Sequence, residues 1–402
     1  MENTPRSNRV HIGIYGKCNS GKSSLINAIT GQQAAVVSEI AGTTTDPVNK
    51  SMEVQGRGAV TFIETAGFDD KSSLGQARAD QTRKAADRTD VAVIVYAGGE
   101  LADVRQWIGM FGERNVPVVL VLNKCDELSD VPAAIDNLRA ETGINPIAVS
   151  ARTGEGIKEL ISAMAEAGRG AAEDISITGG LVGEGDVVML VMPQDSQAPK
   201  GRLILPQVQT TRELLDKGCV IISCTPAQMA HSLASLKKAP KLVITDSQAF
   251  AEVNCMTPSE SLLTSFSVLF ANYKGDIKAF IEGAKAIEKL TEKSRVLIAE
   301  ACTHAPATED IGRVKIPNLL RKRFGAGLTI DMVSGADFPE DLSGYDLIIH
   351  CGACMFNRRH VLSRLAKAEK QGVPMTNYGI TIAHLTGIIG RVTYPGQNNS
   401  IR

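Results

Sequence analysis

Two groups of residues have types and spacing that carry chemistry. The first is Gly16-Lys17-Cys18-Asn19-Ser20-Gly21-Lys22-Ser23, a G-x-x-x-x-G-K-[ST] run followed by Ser24. It lies between an apolar stretch, Val10–Tyr15, and a helix-forming stretch, Gly21–Thr30, the strand–loop–helix setting that a phosphate loop needs. The backbone N–H groups of such a loop and the helix N-terminus cradle phosphate oxygens. Lys22 brings a positive charge to the β- and γ-phosphates, and Ser23 offers a hydroxyl to Mg²⁺. The second group is Cys302-Thr303-His304 and His350-Cys351-Gly352-Ala353-Cys354, with 45 residues between the two histidines. The C-x-x-C places two thiols on one tight turn. Cys302 follows the apolar run Val296–Ala299, and Cys351 follows the run Asp346–His350. If those runs are parallel strands of one sheet, both loops meet at its carboxyl edge, where α/β ligand sites form. Three thiolates suit zinc with a histidine as fourth ligand. They equally suit a 4Fe–4S cluster with one iron left for His304, His350, a carboxylate, water or an exchangeable ligand. Spacing does not choose between the two.

The nucleotide base is read elsewhere. Asn123-Lys124-Cys125-Asp126 follows the apolar run Val116–Leu122 and resembles the N-K-x-D signature of the translation-factor class of GTPases. The resemblance implies that Asp126 accepts hydrogen bonds from the guanine N1–H and exocyclic amine. Adenine has no donors there, and a carboxylate left unpaired by the wrong base costs on the order of several kcal/mol. Ser150-Ala151-Arg152 resembles the loop that backs the guanine. Glu64-Thr65-Ala66-Gly67 resembles D-x-x-G, with Glu64 where Asp is usual. Glu64 can still hold a Mg²⁺-bound water, with a longer reach. Phe68 follows, where some GTPases carry a water-positioning glutamine, and a phenyl ring cannot orient a nucleophile. In this the chain is similar to the group that includes the tRNA-modification GTPases. Ala41-Gly42-Thr43-Thr44-Thr45-Asp46 resembles that group's first switch, in which Thr44 would close on Mg²⁺ and the γ-phosphate. Asn19 matches the residue that there helps hold a K⁺ ion in place of an arginine finger. The implied activity is slow, K⁺-stimulated GTP hydrolysis carried by Lys22, Thr44, Glu64 and Gly67.

These residues need a scaffold that brings loops to strand ends. Near-continuous apolar runs at Val10–Tyr15, Ala59–Ile63, Val91–Tyr96 and Val116–Leu122, with a short one at Ile147–Val149, are what buried parallel strands require. They predict a doubly wound α/β domain closed by a helix over Gly154–Arg169. Glycines at 168, 170, 179 and 180 mark a boundary and candidate hinges. A second alternating unit follows, with strands at Val187–Met192, Val220–Ser223 and Leu242–Thr245. A long helical stretch, Glu260–Leu290, broken near Lys274-Gly275, opens a third. The expected architecture is α/β in three domains. A P-loop doubly wound sheet occupies residues 1–170, a second domain 180–258 and a third 259–402, the last two with mainly parallel sheets.

Composition narrows the classes further. The chain has 402 residues, 43% hydrophobic and 22% charged, with a formal net charge of −1. No global field draws it to nucleic acid or an anionic membrane. With no apolar run near the ~20 residues that span a bilayer, and a polar start from Met1 to Asn8, a cytoplasmic location is expected. In a reducing compartment the eight cysteines do not form a disulfide framework. Cys18, Cys125, Cys219, Cys224 and Cys255 read as small core residues. Arg358, Arg359, Arg364, Lys367 and Lys370 read as the solvated face of a helix, and Trp107 as core.

A GTPase region followed by C-x-H, a gap in the forties and H-C-x-x-C resembles the HydF family of FeFe-hydrogenase maturation GTPases, over the whole chain. The resemblance implies a 4Fe–4S cluster on Cys302, Cys351 and Cys354, with His304 and His350 as the motif histidines. It also implies a middle dimerisation domain that makes a homodimer. The role implied is that of scaffold and carrier. Such a protein takes a di-iron subcluster precursor as transient cargo from radical-SAM maturases and delivers it to the apo FeFe-hydrogenase. Two readings compete: a tRNA-modification or ribosome-assembly GTPase with a C-terminal zinc module, and a zinc-stabilised interaction protein whose GTPase is a timer. Only 4% aromatic residues and no RNA-module signature weigh against the first of these.

Overall fold

The structure, a computed structural model, describes residues 8–31, 48–54, 58–67, 75–171, 175–193, 203–301, 310–335 and 337–397. Thr44 and the first switch, Phe68, Cys302 and His304 lie outside the described residues. The chain divides into two compact units, Met1–Asp174 and Ile175–Arg402.

The first unit runs β1 (Val10–Gly16), α1 (Lys22–Thr30), β2 (Val48–Val54), β3 (Gly58–Glu64), α2 (Gly75–Ala86), β4 (Val91–Tyr96), α3 (Ala102–Glu113), β5 (Val118–Leu122), α4 (Val131–Thr142), β6 (Ile147–Ala148) and α5 (Ile157–Ala171). The six strands form one sheet in the order β2-β3-β1-β4-β5-β6, parallel except where β2 pairs antiparallel with β3. This is the expected doubly wound sheet, with β2 added at the edge. The period-2 geometry of a strand decides which core each β4 residue enters. Val91, Val93 and Val95 pack with Leu25, Ile26, Leu160 and Met164 on one face. Ala92 and Ile94 pack with Val104, Phe111 and Leu138 on the other. Both faces are covered, so the strands read as unbroken apolar runs. Gly168 and Gly170 lie inside α5, because an apolar helix face packed on the sheet overrides the weak helix propensity of glycine, and the division between the units falls after them, at Asp174/Ile175.

Among the described residues the second unit holds two four-stranded sheets. It runs β7 (Val187–Val191), α6 (Leu205–Asp216), β8 (Val220–Cys224), α7 (Met229–Ala234), β9 (Leu242–Thr245), α8 (Phe250–Met256), β10 (Leu262–Ser265), α9 (Phe266–Lys274) and α10 (Ile277–Ala284). It continues with β11 (Arg295–Ala299), α11 (Ile316–Phe324), β12 (Thr329–Val333), β13 (Leu347–His350), α12 (Arg358–Lys370), β14 (Met375–Asn377) and α13 (Tyr378–Leu385). The sheet orders are β10-β9-β7-β8 and β12-β11-β13-β14, and every pairing in them is parallel.

Two expectations change here. The helix expected from Glu260 begins instead with β10, which pairs with β9, so the middle sheet runs past the expected boundary at 258/259. A short stretch such as Leu262-Leu263-Thr264-Ser265 after a turn reads alike as a strand or a buried helix start, and only the pairing partner decides. The break near Lys274 is real: α9 stops at Gly275, and Asp276 caps α10 by accepting from Lys278 and Ala279 backbone N–H. The second and third domains also share one continuous core, in which Met189, Val243 and Leu263 join Val268, Phe280, Val296, Ile298 and Ile380.

In the middle sheet β8 is an edge strand. Val220 upon it is 53% exposed, and Val208 and Leu215 on α6 are 46% and 59% exposed. An edge strand beside an apolar helix stripe is a ready surface for another chain.

Candidate functional site

The phosphate loop leaves β1 at the sheet's carboxyl end, where Gly16 pairs with Val95. Gly21 has φ +89°, and a side chain there would collide with the Asn123 amide. The position therefore needs glycine for both conformation and space. Among the described residues no side chain caps the start of α1, so its first N–H groups are left to an incoming anion. Lys22 is buried, and its Nζ donates to the carbonyls of Gly16 (3.0 Å) and Lys17 (2.7 Å). The ammonium is thus held inside the loop by neutral acceptors that a phosphate outcompetes. Asn19 is exposed and sits at φ +60°. Ser20 is buried with its Oγ unpartnered among the described residues.

The Ser23 hydroxyl donates to Glu64. The residue proposed for a Mg²⁺ ligand and the residue proposed to hold its water are therefore in contact, and the longer Glu64 still reaches the site. Gly67 lies against the phosphate loop, where a Cβ would strike Cys18. That close approach sets the Glu64–Gly67 segment against the phosphate loop. The base end is stitched by Asn123, whose amide donates to Ser20 O at 2.8 Å and accepts from Ala151 N at 3.3 Å. Asn123 therefore positions the two loops. Lys124 takes φ +62° and turns the chain into Asp126. Asp126 pairs with Arg152. A hydrogen bond from Ser150 and the neighbouring guanidinium hold its carboxyl below the usual range, partly offset by desolvation. Arg152 is 72% exposed, so solvent screens the pair and leaves it weak.

The thiol turn stands at the carboxyl edge of the C-terminal sheet. Parallel pairing sets Ala299 beside Val333 and His350, and His350 beside Asn377. The residues that follow the four strands thus form a row: Ser334, Glu300, Cys351 and Tyr378. Cys351 Sγ accepts from the backbone N–H of Ala301 (3.0 Å) and of Ala353 (3.4 Å). Burial pushes the thiol up to about 11, against the pull of these two donors. Ala353 sits at φ +49°, a left-handed turn that brings Cys354 back beside Cys351. N–H donors aimed at sulfur and a second thiol on the same turn are the donor set that a thiolate-bound metal takes. Among the described residues no group of three or more His, Cys, Asp or Glu is gathered closely enough to hold an ion. The first half of the motif, Cys302 and His304, lies outside them.

His350 differs from expectation. It is fully buried, its Nδ1 bonds Cys351 O at 2.7 Å and its Nε2 bonds Arg364 at 3.0 Å. Burial and the Arg364 charge lower its pKa to about 3, so it is neutral, donating from Nδ1 and accepting at Nε2. With both ring nitrogens used, His350 fixes the turn and offers no lone pair to a metal. Arg364, expected on a solvated face, is buried against Gly335 O (2.6 Å) and the Phe338 ring. Arg358 donates to the carbonyls of Asn272, Tyr273 and Gly275 at the end of α9. An arginine run reads as solvated by periodicity, but the carbonyls of a helix end need donors. Of the cysteines expected in the core, Cys125 and Cys219 are buried, Cys18 and Cys224 half-buried, and Cys255 exposed.

The sequence reading missed Glu300 and Tyr378. Glu300 is buried and accepts from Arg313 Nη2 (3.0 Å) and Ser334 Oγ (3.2 Å). Its place directly after an apolar run was a usable signal. Tyr378 had none, since only strand register brings it to the row.

Residues 11–124 match the family described as 50S ribosome-binding GTPase. Residues 177–275 match the hydrogen maturase F dimerization domain, and residues 278–395 its tetramerization domain. GTPase Der of Wolinella succinogenes is 40% identical over 122 residues, 29% of this chain and 26% of that protein. The tRNA modification GTPase MnmE of Xanthomonas oryzae pv. oryzae is 33% identical over 152 residues, 38% of this chain and 32% of that one. The chain thus spans about a third or less of the length of these curated relatives. Aquifex aeolicus Era bound to GDP and AlF4⁻ aligns at 18% identity and a TM-score of 0.37, covering 54% of this chain and 92% of that one. Among the described residues no helix is long and apolar enough to cross a membrane. Two modules bearing the hydrogen maturase F name follow a GTPase domain and together span more than half of the residues, and the chain belongs to the hydrogen maturase F family.

Proposed function

We propose that this protein is a cytoplasmic GTP hydrolase joined to a metal-cluster scaffold. In this reading it assembles and delivers a di-iron subcluster precursor to apo FeFe-hydrogenase, with radical-SAM maturases as the source of that cargo. The observation that carries the reading is the pairing of two donor sets in one chain. One is a phosphate loop with Ser23 against Glu64. The other is a thiol, Cys351, that accepts two backbone N–H bonds at a sheet's carboxyl edge. At the first, Lys22 and the α1 N-terminus neutralise phosphate charge, Ser23 and Glu64 serve Mg²⁺, and Asp126 selects guanine. At the second, Cys351 and Cys354 together with Cys302 would hold a 4Fe–4S cluster, which supplies an iron open to a bridging ligand. A four-cysteine site would have to lose a thiolate first.

Iron and acid-labile sulfide analysis of anaerobically purified protein tests the reading. Stoichiometric iron and sulfide are expected. A colourless, zinc-loaded protein would overturn it in favour of a zinc-stabilised GTPase of tRNA-modification or ribosome-assembly type.

Turnover should rise severalfold when Na⁺ is replaced by K⁺, because Asn19, not an arginine, stands at the phosphates. Equal rates in the two buffers would remove that role from Asn19. The homodimer is assigned to β8 and α6, on the exposed Val208, Leu215 and Val220 within the dimerization-domain match. Leu215→Asp with Val220→Asp should shift the species seen by sedimentation velocity to lower mass, since a charge placed at an interface core is desolvated without a partner. An unchanged distribution would place the interface elsewhere.

A further inference from the structure

The row at the C-terminal sheet edge contains one group that the cluster reading does not use. Tyr378 follows β14, next to Cys351 in register. Its hydroxyl is buried and has no hydrogen-bond partner among the described residues. A buried hydroxyl without a partner is costly and rare in a folded protein. The space beside it is kept open: a Cβ on Gly312 would collide with the Tyr378 hydroxyl and come within 2.8 Å of Glu300 Oε1. Glu300 is not the missing partner. Its Oε2 is already taken by Arg313 and Ser334, and no bond joins it to Tyr378. A phenol carries its proton at neutral pH, so Tyr378 is a donor.

We propose that Tyr378 is a tuning residue of the metal centre, donating its Oη–H to a sulfur of the cluster held by the Cys351–Cys354 turn. This rests on the reading of that turn as an iron–sulfur site. Cys351 already receives two N–H donors from the backbone, and Tyr378 adds one from a side chain. A hydrogen bond to a cluster sulfur favours the more negative, reduced state and so raises the reduction potential. Among the described residues, the Tyr378 hydroxyl brings a proton to the row that no side chain or carbonyl accepts. Arg313 is engaged with Glu300, and Ser334 Oγ donates to the same carboxylate.

The test is an EPR-monitored redox titration of the full-length protein, reconstituted anaerobically with iron and sulfide, as wild type and as Tyr378→Phe. The substitution keeps the ring and removes one oxygen. Equal iron content with a midpoint shifted to more negative potential is the expected result. Equal iron content with an unchanged midpoint overturns the assignment. If wild type itself binds no iron and sulfide, the cluster reading fails first and this one with it. Should Tyr378→Phe load poorly, site-specific 3-fluorotyrosine at the same position decides. It keeps the hydroxyl and makes it a stronger donor, so the midpoint must rise, and an unmoved midpoint rejects the bond.

Discussion

Lys22→Ala is expected to lower GTP turnover by about 10³-fold or more, the scale of losing a preorganised charge that meets developing phosphate charge. The geometry makes the loss hard to replace. The Lys22 ammonium is buried and held on the carbonyls of Gly16 and Lys17. Lys17, the other lysine of the phosphate loop, is paired with Asp103 and donates to Glu100 O. Stability should fall little, by about 1–2 kcal/mol, as the carbonyls of Gly16 and Lys17 lose a donor. Single-turnover hydrolysis and a thermal melt measure both effects together. A variant that melts as wild type yet keeps more than a tenth of its turnover would show that Lys22 is not the phosphate-neutralising group. Iron content should stay unchanged in this variant, because Lys22 and the thiol turn belong to separate compact units. Its loss would mean that nucleotide state governs the cluster more tightly than proposed.

Cys351→Ala is the converse experiment. It should abolish stoichiometric iron and sulfide binding while GTP turnover stays within about twofold. Removing an outer hydrogen-bond partner of a metal ligand costs ~10–100-fold in affinity, and removing a ligand costs more. Two N–H groups, on Ala301 and Ala353, lose their acceptor as well, so the turn that positions Cys354 loosens. Cys354→Ala and Cys302→Ala should also lose the cluster. Cys255→Ala, at an exposed cysteine, should bind iron normally and serves as the control. The readouts are iron and sulfide per chain and the visible spectrum after anaerobic reconstitution. Full iron in Cys351→Ala would remove the thiol turn from the site.

The nucleotide half was legible from sequence because its residues are local. A phosphate loop is eight consecutive residues, and its Lys, Ser and glycines act through backbone that the loop itself shapes. Asn123 was identified by its motif, but its role was not. The motif places it at the base, and only the fold shows that its amide ties Ser20 to Ala151.

The thiol half shows the opposite balance. Sequence by itself determined that two cysteines share a turn, that apolar runs precede both cysteine elements, and that the scaffold is α/β. Which groups face those thiols was left to the tertiary structure. Parallel register, a non-local property, sets Glu300, Cys351 and Tyr378 side by side although they are far apart in the chain. Burial likewise moved His350 from candidate ligand to positioning group, because Arg364, fourteen residues away, takes its second nitrogen. It also drew Arg364 and Arg358 out of an apparently solvated face. A residue's type is written in the sequence. Whether its polar atoms are left over for a ligand depends on what the fold brings within ~3 Å of them, and that only the tertiary structure decides.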